Sequence, residues 1–274
     1  MTTQLVNGLA EYRIGAPTHD CPIGPGQTIS IRDTGKRFCC VCNRPTRSLF
    51  GQGLCFPCFK TGPENSECII RPALCQGHLG RGRDPDWERR HHVQPHVVYI
   101  ANSGGIKVGV TRQSQIPTRW IDQGASDALI IAETPNRYEA GCIEVALTPS
   151  LGDKTHWQRM LKGMDQSLDL HAIAETSIST LPSHLKSMTV RHLPAVSIRY
   201  PVTTYPTQVK SIKLDKHPVI EGKIIGIRGQ YLILDNNRVL NIRNHSGIEV
   251  ELLLSYNSVH PHPAEDSDNQ TSLF

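Results

Sequence analysis

The sequence predicts an α+β protein built in three parts. Three observations carry that expectation: cysteine pairs crowded into the first third, a change to alternating apolar patterning at His96, and a run of short strand-like segments beyond Tyr200. The parts are an N-terminal segment and cysteine-rich zinc-binding module over residues 1–95, an α/β domain with additional helices over 96–195, and a small β-barrel-like domain over 196–256. A tail over 257–274, with Pro, Asp, Ser and Asn, predicts disorder.

Residues 1–35 are rich in Gly, Pro and Thr, with Gly24-Pro25-Gly26 as a turn and Gln27 to Ile31 as a short strand, and are expected to pack on the cysteine-rich part. Eight of the nine cysteines fall before residue 76, several in close pairs, which favours metal binding over a disulfide framework. Cys39-x2-Cys42 and Cys55-x2-Cys58 supply four soft ligands on two tight knuckles, joined by a twelve-residue insert that can loop out while the pairs converge. Cys40 is the alternative to Cys39, but its spacing to Cys42 is one residue short. A second zinc set is drawn from Cys68, Cys75, His78 and His92, the segment from Trp87 to Arg90 turning the chain back toward the cysteines. Neither Cys-x2-Cys pair sits at a strand-to-helix junction, so redox chemistry is not expected. Four protein ligands leave no open position for water, so such zinc stabilises rather than catalyses.

From His96 to Ala101 and from Ile106 to Val110 the pattern is that of two strands joined by Asn102-Ser103-Gly104-Gly105. A helix from Pro117 to Gln123, a strand from Ala128 to Ala132 and a helix from Asn136 to Leu147, with Asn136 as its cap, complete a β-β-α-β-α order. Helical stretches over Thr155 to Gly163 and Ser167 to Leu185 are expected to buttress the sheet. Strands are expected over Val209 to Leu214, Val219 to Arg228, Tyr231 to Leu234, Arg238 to Arg243 and Gly247 to Leu254, and their spacing suggests a small barrel.

With 274 residues and 38% apolar content the chain can bury more than one core. A net charge of +4 permits a nucleic-acid partner without demanding one. There is no apolar run of about 18 residues, and the first residues lack the layout of a secretory signal, so a cytoplasmic protein without membrane contact is expected.

In order along the chain stand Val98-Tyr99-Ile100, Lys107-Val108-Gly109, Arg119, and Glu139-Ala140 with Glu144. This order resembles a GIY-YIG nuclease core. The resemblance implies that Tyr99, Lys107, Arg119 and Glu144 form a phosphodiester-cleaving site, with Glu144 holding one Mg²⁺ or Mn²⁺ and Lys107 and Arg119 on the phosphate. It also implies DNA or RNA as partner. Lys107 stands where the family has its second tyrosine, which shifts that position from general base toward phosphate ligand, because an ammonium is a poor base. The cysteine-rich head, Lys107 to Thr111, Arg119 to Ala125 and Gly229-Gln230-Tyr231-Leu232 are together similar to an uncharacterised bacterial cysteine-rich family of unknown function. Two other readings compete with the nuclease: a non-catalytic DNA- or RNA-binding module, and a zinc-containing assembly factor with a protein partner or homodimer through the barrel.

Overall fold

The computed structural model describes residues 1–16, 19–152 and 156–256, so the tail expected to be disordered lies outside the described residues. In chain order the elements are β1 (Thr2–Val6), β2 (Leu9–Ala16), β3 (His19–Ile23), β4 (Gln27–Arg37), α1 (Phe56–Thr61), α2 (Pro85–His91), β5 (His96–Asn102), β6 (Ile106–Arg112), α3 (Thr118–Asp122), β7 (Asp127–Thr134) and α4 (Arg137–Leu151). There follow α5 (Trp157–Leu161), α6 (Leu170–Ser179), α7 (Ser183–Lys186), β8 (Val196–Ser197), β9 (Lys210–Ile212), β10 (Val219–Arg228), β11 (Tyr231–Leu234), β12 (Arg238–Asn241) and β13 (Ile248–Tyr256). None of these helices is long and apolar enough to cross a membrane.

The central sheet has the order β6-β5-β7-β8, all antiparallel. All of β5 is buried, and the two-residue strand period sends its side chains into two cores. Val97, Tyr99 and Ala101 face Trp120, Ile121 and residues of β4 and β10, whereas Val98 and Ile100 meet Ala140, Ile143 and Leu147 of α4 and Leu170, Ala174 and Ile178 of α6. The spacing of Ala140, Ile143 and Leu147 is that of one helix face. Asn136 caps α4 as its residue type suggests, accepting from the Glu139 backbone N–H at 3.1 Å. The helix expected over Ser167 to Leu185 divides into α6 and α7, with Pro182 as the N-cap of α7.

Two expectations are corrected. Residues before Gln27 form a three-stranded meander, β1-β2-β3, whose Ala10, Tyr12, Ile14 and Ile23 join the core around Tyr99 and Trp120 instead of packing on the cysteine-rich part. Among the described residues the C-terminal strands form no closed barrel. They belong to an open six-stranded sheet, β13-β4-β10-β11-β12-β9, in which β4 is inserted between β10 and β13. Closure requires the two edge strands to pair, and alternation along each strand looks the same in an open and a closed sheet. Strand β4 runs for eleven residues, well beyond the expected Ile31, because β13 pairs along it from Gln27 to Arg37 while β10 pairs over Thr28 to Arg32.

Beside the shared core, a buried cation ties the six-stranded sheet to the segments after α3 and α5. Arg228, at the end of β10 and 1% exposed, donates through Nε and Nη2 to the Gly124 carbonyl at 3.0 and 2.9 Å. It also pairs through Nη1 with Asp165 at 2.6 Å and lies over the Tyr200 ring. Arg228→Ala leaves Asp165 facing a vacated site and is expected to lower stability by about 3–5 kcal/mol, read by chemical denaturation. His96 opens β5 fully buried, its Nδ1 on the Gln94 carbonyl at 2.7 Å and its Nε2 without a hydrogen-bond partner. Burial depresses this imidazole from 6.5 to about 4. The unfolded chain therefore takes up the proton first as pH falls, so the His96 contribution is complete above 6.5 and is lost toward about 4. His96→Asn is expected to flatten the stability profile in that window by about 1.4 kcal/mol per pH unit, measured by denaturation at several pH values.

Candidate functional site

Strand β4 delivers the chain directly into the first cysteine knuckle. The Phe38 N–H donates to the Gly247 carbonyl at 2.8 Å, anchoring the knuckle beside β13. The turn then closes through Asn43 N–H to Cys39 O at 2.9 Å and Cys39 N–H to Arg44 O at 3.0 Å, with Asn43 in the left-handed region at φ 55°. The second knuckle is the start of α1, where Cys55 is the N-cap residue. Ligand atoms of Cys39, Cys42, Cys55 and Cys58 all lie within 4.8 Å of one another, and the Cys42 and Cys55 sulfurs are 3.8 Å apart. Zn–S bonds of about 2.3 Å in a tetrahedron put sulfurs about 3.8 Å apart, so the donor set fits zinc. Burial pushes the Cys39 thiol up, but backbone donors of Cys42, Cys55 and Val41 outweigh it and bring it down to about 6. Cys40 is exposed and outside the cluster. All nine cysteines are free thiols.

A second cluster gathers Cys68, Cys75, Glu88 and His92. The expected set is corrected in one member: Glu88, and not His78, lies with Cys68, Cys75 and His92 as the fourth donor that could hold an ion. The reason lies in α2, on which Glu88 and His92 are four residues apart and share a face. Asp84 caps that helix, accepting from Asp86 and Trp87 N–H at 3.1 and 2.9 Å. His78 lies on a separate single turn, its ring stacked on Tyr138 with centroids 4.5 Å apart. The signal that could have found Glu88 was a capped Glu-x3-His behind two cysteines. His92 Nδ1 stands 3.8 Å from Cys68 Sγ and 3.5 Å from Cys75 Sγ, close to the S···N edge of about 3.6 Å in a zinc tetrahedron. Hydrogen bonding with Cys68 holds the Cys75 thiol down, to about 4, while Cys68 is pushed up.

Between this second cluster, α3, α4 and β6 lies a cleft of about 1310 Å³. Tyr99 and Gly109 pair across β5 and β6 at its floor. A Cβ on Gly109 would stand 2.7 Å from the Tyr99 Cζ and hydroxyl, so the glycine makes room for the ring. The Tyr99 hydroxyl donates to Gln123 Oε1 at 2.8 Å. Burial raises its pKa, against the pull of the Arg119 charge and a hydrogen bond from Arg119, so the phenol keeps its proton at neutral pH.

Arg119 and Glu144 line the same cleft, with Arg137 and Arg243. Lys107 does not; it is 3% exposed on β6, paired with Ala101, and is a residue of the core and not of the cleft wall. Asp122 also lines the cleft, its carboxyl raised by burial and pulled back by Gln230 and the charges of Arg243 and Arg119. Arg243 arrives from the turn after β12 and donates to Gln52 at 2.9 Å. Nothing in the sequence near Arg243 marks it, because its place depends on the six-stranded sheet.

Gly141 explains how the second cluster reaches the cleft. A Cβ there would lie 2.2 Å from the Ala73 backbone N, so the glycine admits a backbone contact and not a ligand. One turn earlier, Arg137 donates through Nε to Cys68 O at 2.9 Å and through Nη2 to Ile69 O at 2.8 Å.

Fold and site together define a mixed α+β protein with an arginine-lined cleft and two cysteine clusters whose donors can hold zinc. The model of the family described as Protein of unknown function (DUF2797) matches residues 26–250, and the chain belongs to that family. No curated protein and no solved structure matches it. Cys42→Ser is expected to lower the zinc content by one ion per chain, measured by atomic emission on protein purified without chelator, and to lower the thermal midpoint.

Proposed function

We propose that the cleft binds the phosphodiester backbone of DNA or RNA, and that the protein is a zinc-stabilised nucleic-acid-processing factor with a GIY-YIG-like centre. The supporting observation is that Tyr99, Arg119 and Glu144, separate in sequence, line one cleft on a β-β-α-β-α unit. Arg119 and Arg243 face the non-bridging oxygens, where guanidinium forks pair well with phosphate. Phosphate binding passes to these arginines because Lys107 lies outside the cleft. Tyr99, protonated and held by Gln123, orients a substrate oxygen or water and does not act as the base.

Cleavage is the second step of this reading, favoured by the placement of Glu144 on the cleft wall. A carboxylate oxygen suits Mg²⁺ or Mn²⁺, which keep several waters and substrate oxygens in their shell. Such an ion supplies charge stabilisation at the leaving oxygen. Arg119 holds the phosphate in line, and Glu144 fixes the ion to α4.

Anisotropy titrations with labelled DNA and RNA at several salt concentrations are expected to show salt-sensitive binding, with Arg119→Ala reducing the logarithmic salt slope by about 1. Mg²⁺- or Mn²⁺-dependent nicking is expected to vanish in Glu144→Ala while binding persists. Binding without nicking in the parent protein would leave the non-catalytic module. Absence of any nucleic-acid affinity at low salt would overturn the reading in favour of an assembly factor with a protein partner.

A further inference from the structure

We infer that Cys68, Cys75, Glu88 and His92 bind one zinc ion, and that this ion holds a wall of the cleft against α4. The inference does not depend on what the cleft binds. All four side chains are buried, at 7, 2, 2 and 3% exposure, and a Glu that is 2% exposed requires compensation. Its Oε2 lies against His92 Nδ1 within the group of four donor atoms, so the carboxylate and the imidazole face one common point with the two sulfurs.

Two thiolates and one carboxylate around Zn²⁺ leave a single negative charge. Arg137, whose charge acts on both cysteines, stands ready to offset it from the first turn of α4. With four protein ligands and buried walls there is no open position for a reacting water, so the ion is structural. Gly77 lies against the same group, since a Cβ there would be in van der Waals contact with Glu88, Cys75 and His92 at 3.4–3.5 Å.

The coupling to the cleft runs through backbone. Arg137 Nε and Nη2 hold the carbonyls of Cys68 and Ile69, and the Arg137 N–H donates to His92 O at 2.9 Å. The stretch from Ile69 to Leu74, closed between ligands Cys68 and Cys75, forms the wall and rests on Gly141. Apolar burial fixes it at one point, Pro72 against α4, whereas Ile70 and Leu74 are 82 and 50% exposed, so its ends depend on the two cysteines. Without the ion its two anchor cysteines are untied.

The test uses the full chain loaded with zinc, challenged with a chromophoric chelator while thiol alkylation and amide hydrogen exchange are followed. Glu88→Gln keeps the shape of the side chain and removes its charge. In that variant one ion is expected to leave about tenfold or more faster than in the parent. Cys68 and Cys75 should be alkylated as it leaves, and exchange should quicken over residues 67–75 and 137–141, while α1 in the first cluster stays protected. Release that is no faster in Glu88→Gln would overturn the carboxylate ligand. Alkylation of Cys68 and Cys75 with unchanged exchange over 67–75 and 137–141 would overturn the wall-holding role. Should the variant fail to fold, stepwise chelation of the parent protein decides the second point, and Gly141→Ala, which disturbs the docking without touching a ligand, should quicken exchange over 67–75 with both ions retained.

Discussion

Strand β5 is buried on both faces, and most of the architecture depends on that constraint. Its odd-numbered side chains belong to the core shared with the N-terminal meander and the six-stranded sheet, and its even-numbered ones to the core under α4 and α6. A one-residue slip would exchange the two sets and lift Tyr99 away from the cleft floor. Pairing to β6 on one edge and β7 on the other therefore fixes the place of Tyr99, and Gly109 opposite leaves the space that its ring fills.

The cysteine-rich region is ordered by different physics. Among the described residues its apolar cluster consists of Cys39, Leu54 and Cys55 with Cys58 and Phe59 against them, too little area to offset the entropy of ordering so many turn residues. The two donor sets there can hold metal, and coordinate bonds can take the place of a core. The first cluster is tied to β4 and β13, and the second to helix α4 through Arg137 and Gly141, so the two clusters are anchored on different elements. The cleft lies where the second cluster, the central sheet and the turn after β12 meet.

Within the cleft, opposite charges are kept close. Asp122 lies in the fields of Arg119 and Arg243, and Glu144 in that of Arg137, which is itself held by carbonyls of the second cluster. Arginine suits such a place because its guanidinium stays charged when partly desolvated. Lys107, by contrast, is 3% exposed on β6 and takes no part in the cleft wall.

Features that depend on near neighbours along the chain are legible in the residues alone. The knuckles around Cys39, Cys42, Cys55 and Cys58, the strands Val219–Arg228 and Tyr231–Leu234, the Asn136 cap and the helix order around Tyr99 all follow from spacing, turn residues and periodicity. Tertiary structure decided what depends on distant partners: β4 pairing with β10, where Thr28 meets Lys223, the open sheet in place of a barrel, Glu88 in place of His78, and the arrival of Arg243 beside Arg119. Each of these sets residues far apart in the chain side by side, and the free energy that selects them comes from burial and pairing across the whole fold, which no local pattern encodes.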